Sequence, residues 1–128
     1  MSQKNPIKGE AWADNIDRAV SLIGEKENFL FCGDIDPDSV CSMMSLALFL
    51  RLMDKQASIV LATGLSNNLH YLISILNHNS IRILETENQI KSIEKSVEAI
   101  IVCDTANNKM VPFYSLLLEK FIAKGIQV

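Results

Sequence analysis

The sequence predicts an α/β fold: a doubly wound, mainly parallel five-stranded sheet with helices on both faces. Segments with apolar residues at helical spacing alternate strictly with short apolar runs of strand length. These runs are apolar throughout, which is typical of parallel strands that are covered on both sides. The chain has 128 residues, 48% apolar and 21% charged, with no visible linker or repeat, so we expect one domain over residues 1–128.

Apolar spacing and residues that start or stop a helix predict five helices. The first carries apolar residues at helical spacing and stops at Gly24. The second is apolar on nearly every side, so we expect it to be well buried. Ser66 or Asn67 caps the third, and the last ends at Gly125. The predicted spans are 11–24, 39–54, 66–77, 87–96 and 111–125.

Five apolar runs between and after these helices are the predicted strands, at 28–33, 57–64, 80–84, 98–104 and 126–128. Because the sequence stops inside the last run, we expect a fragment, or one domain of a longer chain. An exposed fifth strand would favour a homo-oligomer, since unpaired strand edges associate.

Bulk properties exclude several classes of protein. The net charge of −3 gives no basic footprint for duplex nucleic acid. The N-terminal residues lack an apolar signal segment, and the longest apolar stretch, 39–50, is too short to span a membrane. The three cysteines lie in apolar runs and are interpreted as buried, reduced thiols of a cytoplasmic protein: Cys32, Cys41 and Cys103.

An aspartate-rich segment, "FCGDIDPDSV", joins the first strand to the second helix, with carboxylates at Asp34, Asp36 and Asp38. In extended backbone these side chains would share one face, about 6.6 Å apart per step. Two unit charges at that separation repel by roughly 2.5 kcal/mol at an effective dielectric of 20. Unless all three point into open water, they need a cation.

A fourth carboxylate, Asp104, follows the fourth strand in "IIVCDTANN". Ligands of parallel α/β sheets bind beyond the C-terminal ends of the strands, so all four carboxylates are expected at one edge. Oxygen ligands suit Mg²⁺ or Mn²⁺, and two such ions can activate a water and clamp a phosphoryl group. The positive N-terminal end of the second helix favours an anion there.

Other interpretations of these aspartates stay open. They can cap a helix or lie in a solvated turn. Asp34 and Asp36 also fit the D-x-D of haloacid-dehalogenase-type phosphatases, in which the first Asp is the nucleophile. A calcium loop of the helix–loop–helix type is excluded, because its sixth and twelfth places hold Ser39 and Ser45 instead of Gly and Glu.

Two motifs resemble the DHH phosphoesterase superfamily. "GDIDPDSVCSMMSLAL" resembles its first motif, D-x-D-x-D-x-x-x-S followed by a small, apolar helix, and "IIVCDTANN" resembles its second, a strand ending in Asp-Thr-Ala-Asn. The Gly-Asp start resembles the form of this motif in RecJ-type exonucleases. The Pro and the Ser-Val-Cys-Ser run resemble the form in family II pyrophosphatases and oligoribonucleases. The resemblance spans residues 29–128.

This resemblance implies a site with two Mn²⁺ or Mg²⁺ ions. Asp36 and Asp38 would be ligands and Asp104 would bridge, which makes these three the catalytic residues, while Asp34 is a further candidate ligand. The candidate substrate-binding residues are Ser42, Asn107 and Asn108.

The chain departs from the family pattern in two places. Cys32 stands where many members have His, and we expect it to pack in the core instead of binding metal. The Asp-His-His motif after the fifth strand is absent, as are the last metal-binding Asp and the C-terminal substrate domain that the resemblance implies, so the chain would be the N-terminal part of a DHH-type catalytic domain.

The resemblance implies a parent hydrolase that splits phosphodiester or phosphoanhydride bonds by metal-activated water. Its substrate would be a nucleotide or other phosphate-containing small molecule, pyrophosphate or a short single-stranded oligonucleotide. We expect the chain alone to bind metal weakly and to be inactive. The alternatives are a non-catalytic nucleotide- or metal-binding regulatory module and the dehalogenase-type phosphatase.

Overall fold

A computed structural model describes residues 8–34, 36–61, 70–103, 111–126 and 128, with side chains from residue 13 onward. These residues form five α-helices, four β-strands and one short 3₁₀ helix. The helices are α1 Lys8–Glu25, α2 Pro37–Leu52, α3 Tyr71–His78, α4 Glu87–Ser92 and α5 Tyr114–Lys120, with the 3₁₀ helix at Ile122–Lys124. The strands are β1 Asn28–Gly33, β2 Gln56–Val60, β3 Arg82–Leu84 and β4 Ala99–Cys103.

The strands form one parallel sheet in the order β3-β2-β1-β4. The predicted α/β class and parallel sheet are therefore confirmed. Starting at β1, the chain first adds β2 and β3 on one side and then crosses over to add β4 on the other. The strand order thus reverses at β1, which places the β1–β4 boundary at a topological switch point.

The predicted fifth strand is not seen in the part of the chain that the structure describes. Ile126 and Val128 lie outside any strand, and residue 127 is outside the described range. The amide of Ile126 donates to the carbonyl oxygen of Phe121 at 3.2 Å, so it closes the turn after the 3₁₀ helix. Within the described residues β4 is consequently an edge strand, and its Val102 is 41% exposed.

Alternate residues of the strands enter two separate apolar clusters. Phe29 and Phe31 pack with residues of α2 and α3, whereas Leu30 and Cys32 pack with residues of α4 and α5. The period of two along β1 therefore sends successive side chains to opposite faces, and each face has its own core. Burial of a large apolar side chain contributes about 1.5–3 kcal/mol, so these clusters dominate the stability.

Helix α2 differs from the prediction at its start and on one face. It begins at Pro37, two residues earlier than expected, because Pro is favoured in the first turn of a helix. Its buried side includes Met43, Ala47 and Leu50, but Phe49 is 54% and Leu52 85% exposed. A helix that is apolar all round gives no periodic signal to show which face is open.

Other boundaries shift by a few residues. The predicted caps of α3 lie at 66–67, outside the described residues, and α4 ends at Ser92 instead of residue 96. The last predicted helix is interrupted at Phe121, yet Gly125 does end the helical segment with a left-handed φ of 93°. Among the residues described, no helix combines the length and apolar character needed to cross a lipid bilayer.

Candidate functional site

The aspartate-rich segment begins where β1 and β4 end side by side. Gly33, the last residue of β1, is in register with Cys103, the last residue of β4. Asp34 follows Gly33, and Asp104 follows Cys103 in the sequence but belongs to 104–110, outside the described residues. The crevice at a topological switch point is the usual ligand site of open α/β sheets.

Asp36 is the N-cap of α2. Its backbone is extended (φ −68°, ψ 162°), and its Oδ1 accepts a hydrogen bond of 2.8 Å from the backbone N–H of Ser39. This arrangement satisfies one of the amides that every helix N-terminus leaves unpaired. A carboxylate has a second oxygen, so capping through Oδ1 is compatible with coordination through Oδ2.

The three aspartates do not lie in one extended segment, and this corrects the predicted geometry. Asp38 already belongs to the first turn of α2, whereas Asp34 follows the strand. Side chains at 34, 36 and 38 therefore do not share a face through a strand-like period of two. Asp36 and Asp38 are exposed and Asp34 is half-buried, so water screens much of the predicted repulsion. Asp38 also gains from the positive end of the helix.

The described residues do not by themselves complete a metal site. No three His, Cys, Asp or Glu side chains among them lie close enough together to hold an ion. Oxygen-only donors of the kind that Mg²⁺ and Mn²⁺ prefer are present at Asp34, Asp36 and Asp38, and the predicted ligand from a second strand, Asp104, belongs to 104–110, outside the described residues. The candidate residues Asn107 and Asn108 lie in that same range, outside the described residues.

Ser42 is exposed on α2, one helical turn after Asp38. It borders a shallow cavity of about 670 Å³ lined by Asp38, Cys41, Ser42, Ser45, Leu46 and Phe49. This lining offers hydroxyl groups but no basic side chain that would attract phosphate. Cys41 is exposed here and Cys103 is half-buried, so the prediction of three buried thiols is confirmed for Cys32 alone. On an all-round apolar helix, the open position could not be identified from the pattern.

A larger cavity, of about 860 Å³, lies between α1 and β4. None of the candidate site residues lines it, so it is separate from the aspartates. His70 and His78 are both exposed, at the two ends of α3.

Cys32 packs in the core as expected. It is 1% exposed, and its burial, together with the nearby Cys103, raises the pKa of the Cys32 thiol to about 12. The thiol therefore stays protonated at neutral pH, whereas metal binding requires the thiolate. Cys32 and Cys103 contribute to the clusters on opposite faces of the sheet.

Sequence reasoning missed Gly33. A Cβ built on this residue would collide with the carbonyl oxygen of Cys103, so only glycine allows the two strand ends to approach as they do. The available signal was a glycine placed directly between an apolar strand and the first aspartate.

Comparison of the chain with models of protein families, with curated proteins and with solved structures finds no match.

Proposed function

We propose that the chain forms part of a DHH-type phosphoesterase that hydrolyses phosphodiester or phosphoanhydride bonds with the help of Mn²⁺ or Mg²⁺. In the complete protein, a fifth strand beside β4 would extend the sheet to the doubly wound arrangement. One observation carries the proposal: the aspartate-rich segment starts beside the end of β4, where the strand order reverses. Ligand sites of open α/β sheets form at such points.

In this proposal, carboxylates from two strand ends share the ions. Asp36 and Asp38 would hold the ions from the β1 side and Asp104 from the β4 side, with Asp34 as a further candidate ligand. The ions would supply Lewis acidity and an activated water. The N-terminal end of α2, together with Ser42, Asn107 and Asn108, would bind the phosphate of a small molecule or a short single-stranded oligonucleotide.

The second candidate is a non-catalytic module that binds a metal or a nucleotide. It is favoured by the cap hydrogen bond of Asp36, which gives this carboxylate a structural task. The reading frame beyond codon 128 separates the two candidates. An Asp-His-His motif shortly after Val128 would support the enzyme, and a stop codon there would support the module.

Metal binding is the direct test of the proposed site. We expect Mn²⁺ calorimetry to show weak binding, which Asp38→Asn and Asp104→Asn each reduce by about tenfold or more, since each removes a charged ligand. Asp54→Asn is the matched control: Asp54 is exposed after α2 with a left-handed φ of 61°, which Asn also tolerates. Absence of Mn²⁺ binding, or equal affinities in all four proteins, would refute the site.

A further inference from the structure

We infer that α1 is a hinged lid over the cavity beside β4, and that Lys55 is the latch that holds this lid shut. The helix would turn on the residues that join it to β1, while the sheet stays folded. The lid is independent of the proposed function, because neither Lys55 nor the lining of the cavity includes a residue of the proposed site.

Helix α1 is attached to the described part of the molecule near its C-terminal end. Its side chains from residue 13 to residue 21 are all exposed, and two large apolar ones, Ile16 and Val20, are 39% and 63% exposed. Packing begins in the last turn, where Leu22 and Ile23 are half-buried against the apolar cluster on that face of the sheet. Because helices in proteins are stabilised mainly by packing of an apolar face, the N-terminal part of α1 contributes little to holding it in place.

The cavity of about 860 Å³ lies beneath this loosely held part of the helix. Its lining includes Asn15 and Ala19 on the helix side and Ile100 and Ile101 on the strand side. Protein interiors are close-packed, so a space of this size means that these helix and strand residues are not packed against each other. Moving α1 outward would therefore break few apolar contacts, and it would uncover the half-buried Ile101.

The boundary between the movable helix and the fixed sheet lies at residues 24–27. Glu27 belongs to the sheet side, because its N–H donates to Oε1 of Glu98 at 2.8 Å and its carbonyl oxygen accepts from the N–H of Gln56, also at 2.8 Å. Gly24 lies in the last turn of α1, and a Cβ built on it would meet no atom of the surrounding structure within 4 Å. Neighbouring atoms therefore leave this turn room to pivot.

Lys55 connects the two sides of this boundary. Its Nζ donates to the carbonyl oxygens of Gly24 at 3.3 Å and Lys26 at 2.6 Å, and it lies 3.5 Å from the carboxylate of Glu27. The side chain is 6% exposed, so these bonds form where water competes little. Lys55 itself stays with the sheet, because β2 begins at the next residue. Its bonds to the helix carbonyls therefore have to break when α1 lifts.

The experiment is native-state hydrogen exchange, followed by NMR at low concentrations of urea. In the parent protein, amides in the middle of α1 should exchange through a local opening that depends little on urea, because it exposes little surface. Amides of β1 should exchange more slowly and with a strong dependence on urea. Lys55→Met removes the latch and should accelerate exchange in α1 by about tenfold or more, since partly buried carbonyls lose their donor.

Ile90→Val is the matched control, because it weakens the fold away from α1. Ile90 is fully buried in the apolar cluster on the opposite face of the sheet. Loss of one methyl group there should accelerate β1 exchange by about twofold to tenfold. Exchange in α1 should stay at the parent's rate, since lifting of α1 leaves that cluster intact.

Two outcomes would overturn the lid. Amides of α1 that show the urea dependence of β1 in the parent, or that respond to Ile90→Val as β1 does, would mean that α1 opens only when the whole fold does. Unchanged α1 exchange in Lys55→Met would mean that Lys55 is no latch. The parent and Ile90→Val decide the matter by themselves if Lys55→Met does not fold.

Discussion

Asp36 is assigned a role by both interpretations of the aspartate-rich segment, as a helix cap and as a proposed metal ligand. Its Oδ1 caps α2, which is the structural role that short polar residues before a helix commonly have. The proposed function asks the same carboxylate to bind metal through its other oxygen. Substitutions that keep the cap but remove the charge can separate the two tasks.

We expect Asp36→Asn to melt at or slightly above the parent in chelator, because Asn caps as well as Asp and lacks the charge next to Asp38. The exposure of both carboxylates keeps this gain within about 0.5 kcal/mol. Asp36→Ala loses the cap and should cost about 1 kcal/mol. Thermal melts of the three proteins measure both effects.

Excess Mn²⁺ completes this test, since a ligand that binds only the folded state raises its stability. The parent should gain more from Mn²⁺ than Asp36→Asn does. If Asp36→Ala alone melts lower than the parent in chelator and Mn²⁺ shifts all three proteins equally, Asp36 is a cap and not a metal ligand.

At this scale the sequence placed Asp34, Asp36 and Asp38 at the junction of β1 and α2, as the structure does, but it did not predict their backbone conformation. A residue before proline favours extended backbone, and Asp36 is extended, but the predicted strand-like geometry does not continue through Asp38. Pro37 also suits the first turn of a helix, and that preference prevails. The close contact behind Gly33 could not be predicted, because it depends on which strand lies beside β1.

Among the structural elements, α1 is linked to the start of the sheet by the buried ammonium group of Lys55. The side chain of Lys55 is 6% exposed, and its Nζ donates to the carbonyl oxygens of Lys26 at 2.6 Å and Gly24 at 3.3 Å. The Glu27 carboxylate lies 3.5 Å away. The Nζ of Lys55 thus donates hydrogen bonds to carbonyl oxygens at the C-terminal end of α1. A positive charge there also interacts favourably with the helix dipole.

We expect Lys55→Met to lower the free energy of unfolding by about 1–3 kcal/mol, because partly buried carbonyls lose their donor. Urea unfolding followed by circular dichroism measures the change. Lys124→Met is the control: Lys124 also forms an ion pair, at 2.9 Å with Glu94, but its side chain is 61% exposed. The control should unfold like the parent, and equal losses in both variants would contradict a special role for Lys55.

The apolar pattern of the sequence predicts some of these helices and strands and not others. The identity and order of the helices and of the first four strands followed from apolar runs and their periods. The open face of α2 did not, since an all-round apolar helix has no polar side. The fifth strand expected at 126–128 is not found among the described residues, and a run of three residues carries little strand signal. Ile126 gives its amide to the preceding turn, a local bond that competes with pairing to β4.

For the whole molecule, β1 is the organising strand. It pairs with β2 on one side and β4 on the other, it is buried on both faces, and the proposed site follows its last residue. An α/β class with a parallel sheet could be predicted from sequence because continuous apolar runs require cover on both faces. The order β3-β2-β1-β4 could not, since several orders satisfy the same pattern.

The strand order β3-β2-β1-β4 predicts which backbone amides exchange slowly with solvent. Amides of β1 should be the slowest, because both edges of this strand are paired and exchange there requires opening of the central sheet. In β4, which pairs with β1 alone within the described residues, alternate amides point away from the sheet and should exchange much faster. NMR-detected exchange at several protein concentrations measures both sets.

Uniformly slow β4 amides at every concentration would show that a strand within the chain covers this edge. Slow exchange only at high concentration would show that a second copy covers it, since an exposed strand edge is a template for association. Either result would contradict the open edge and identify what extends the sheet beside the proposed site.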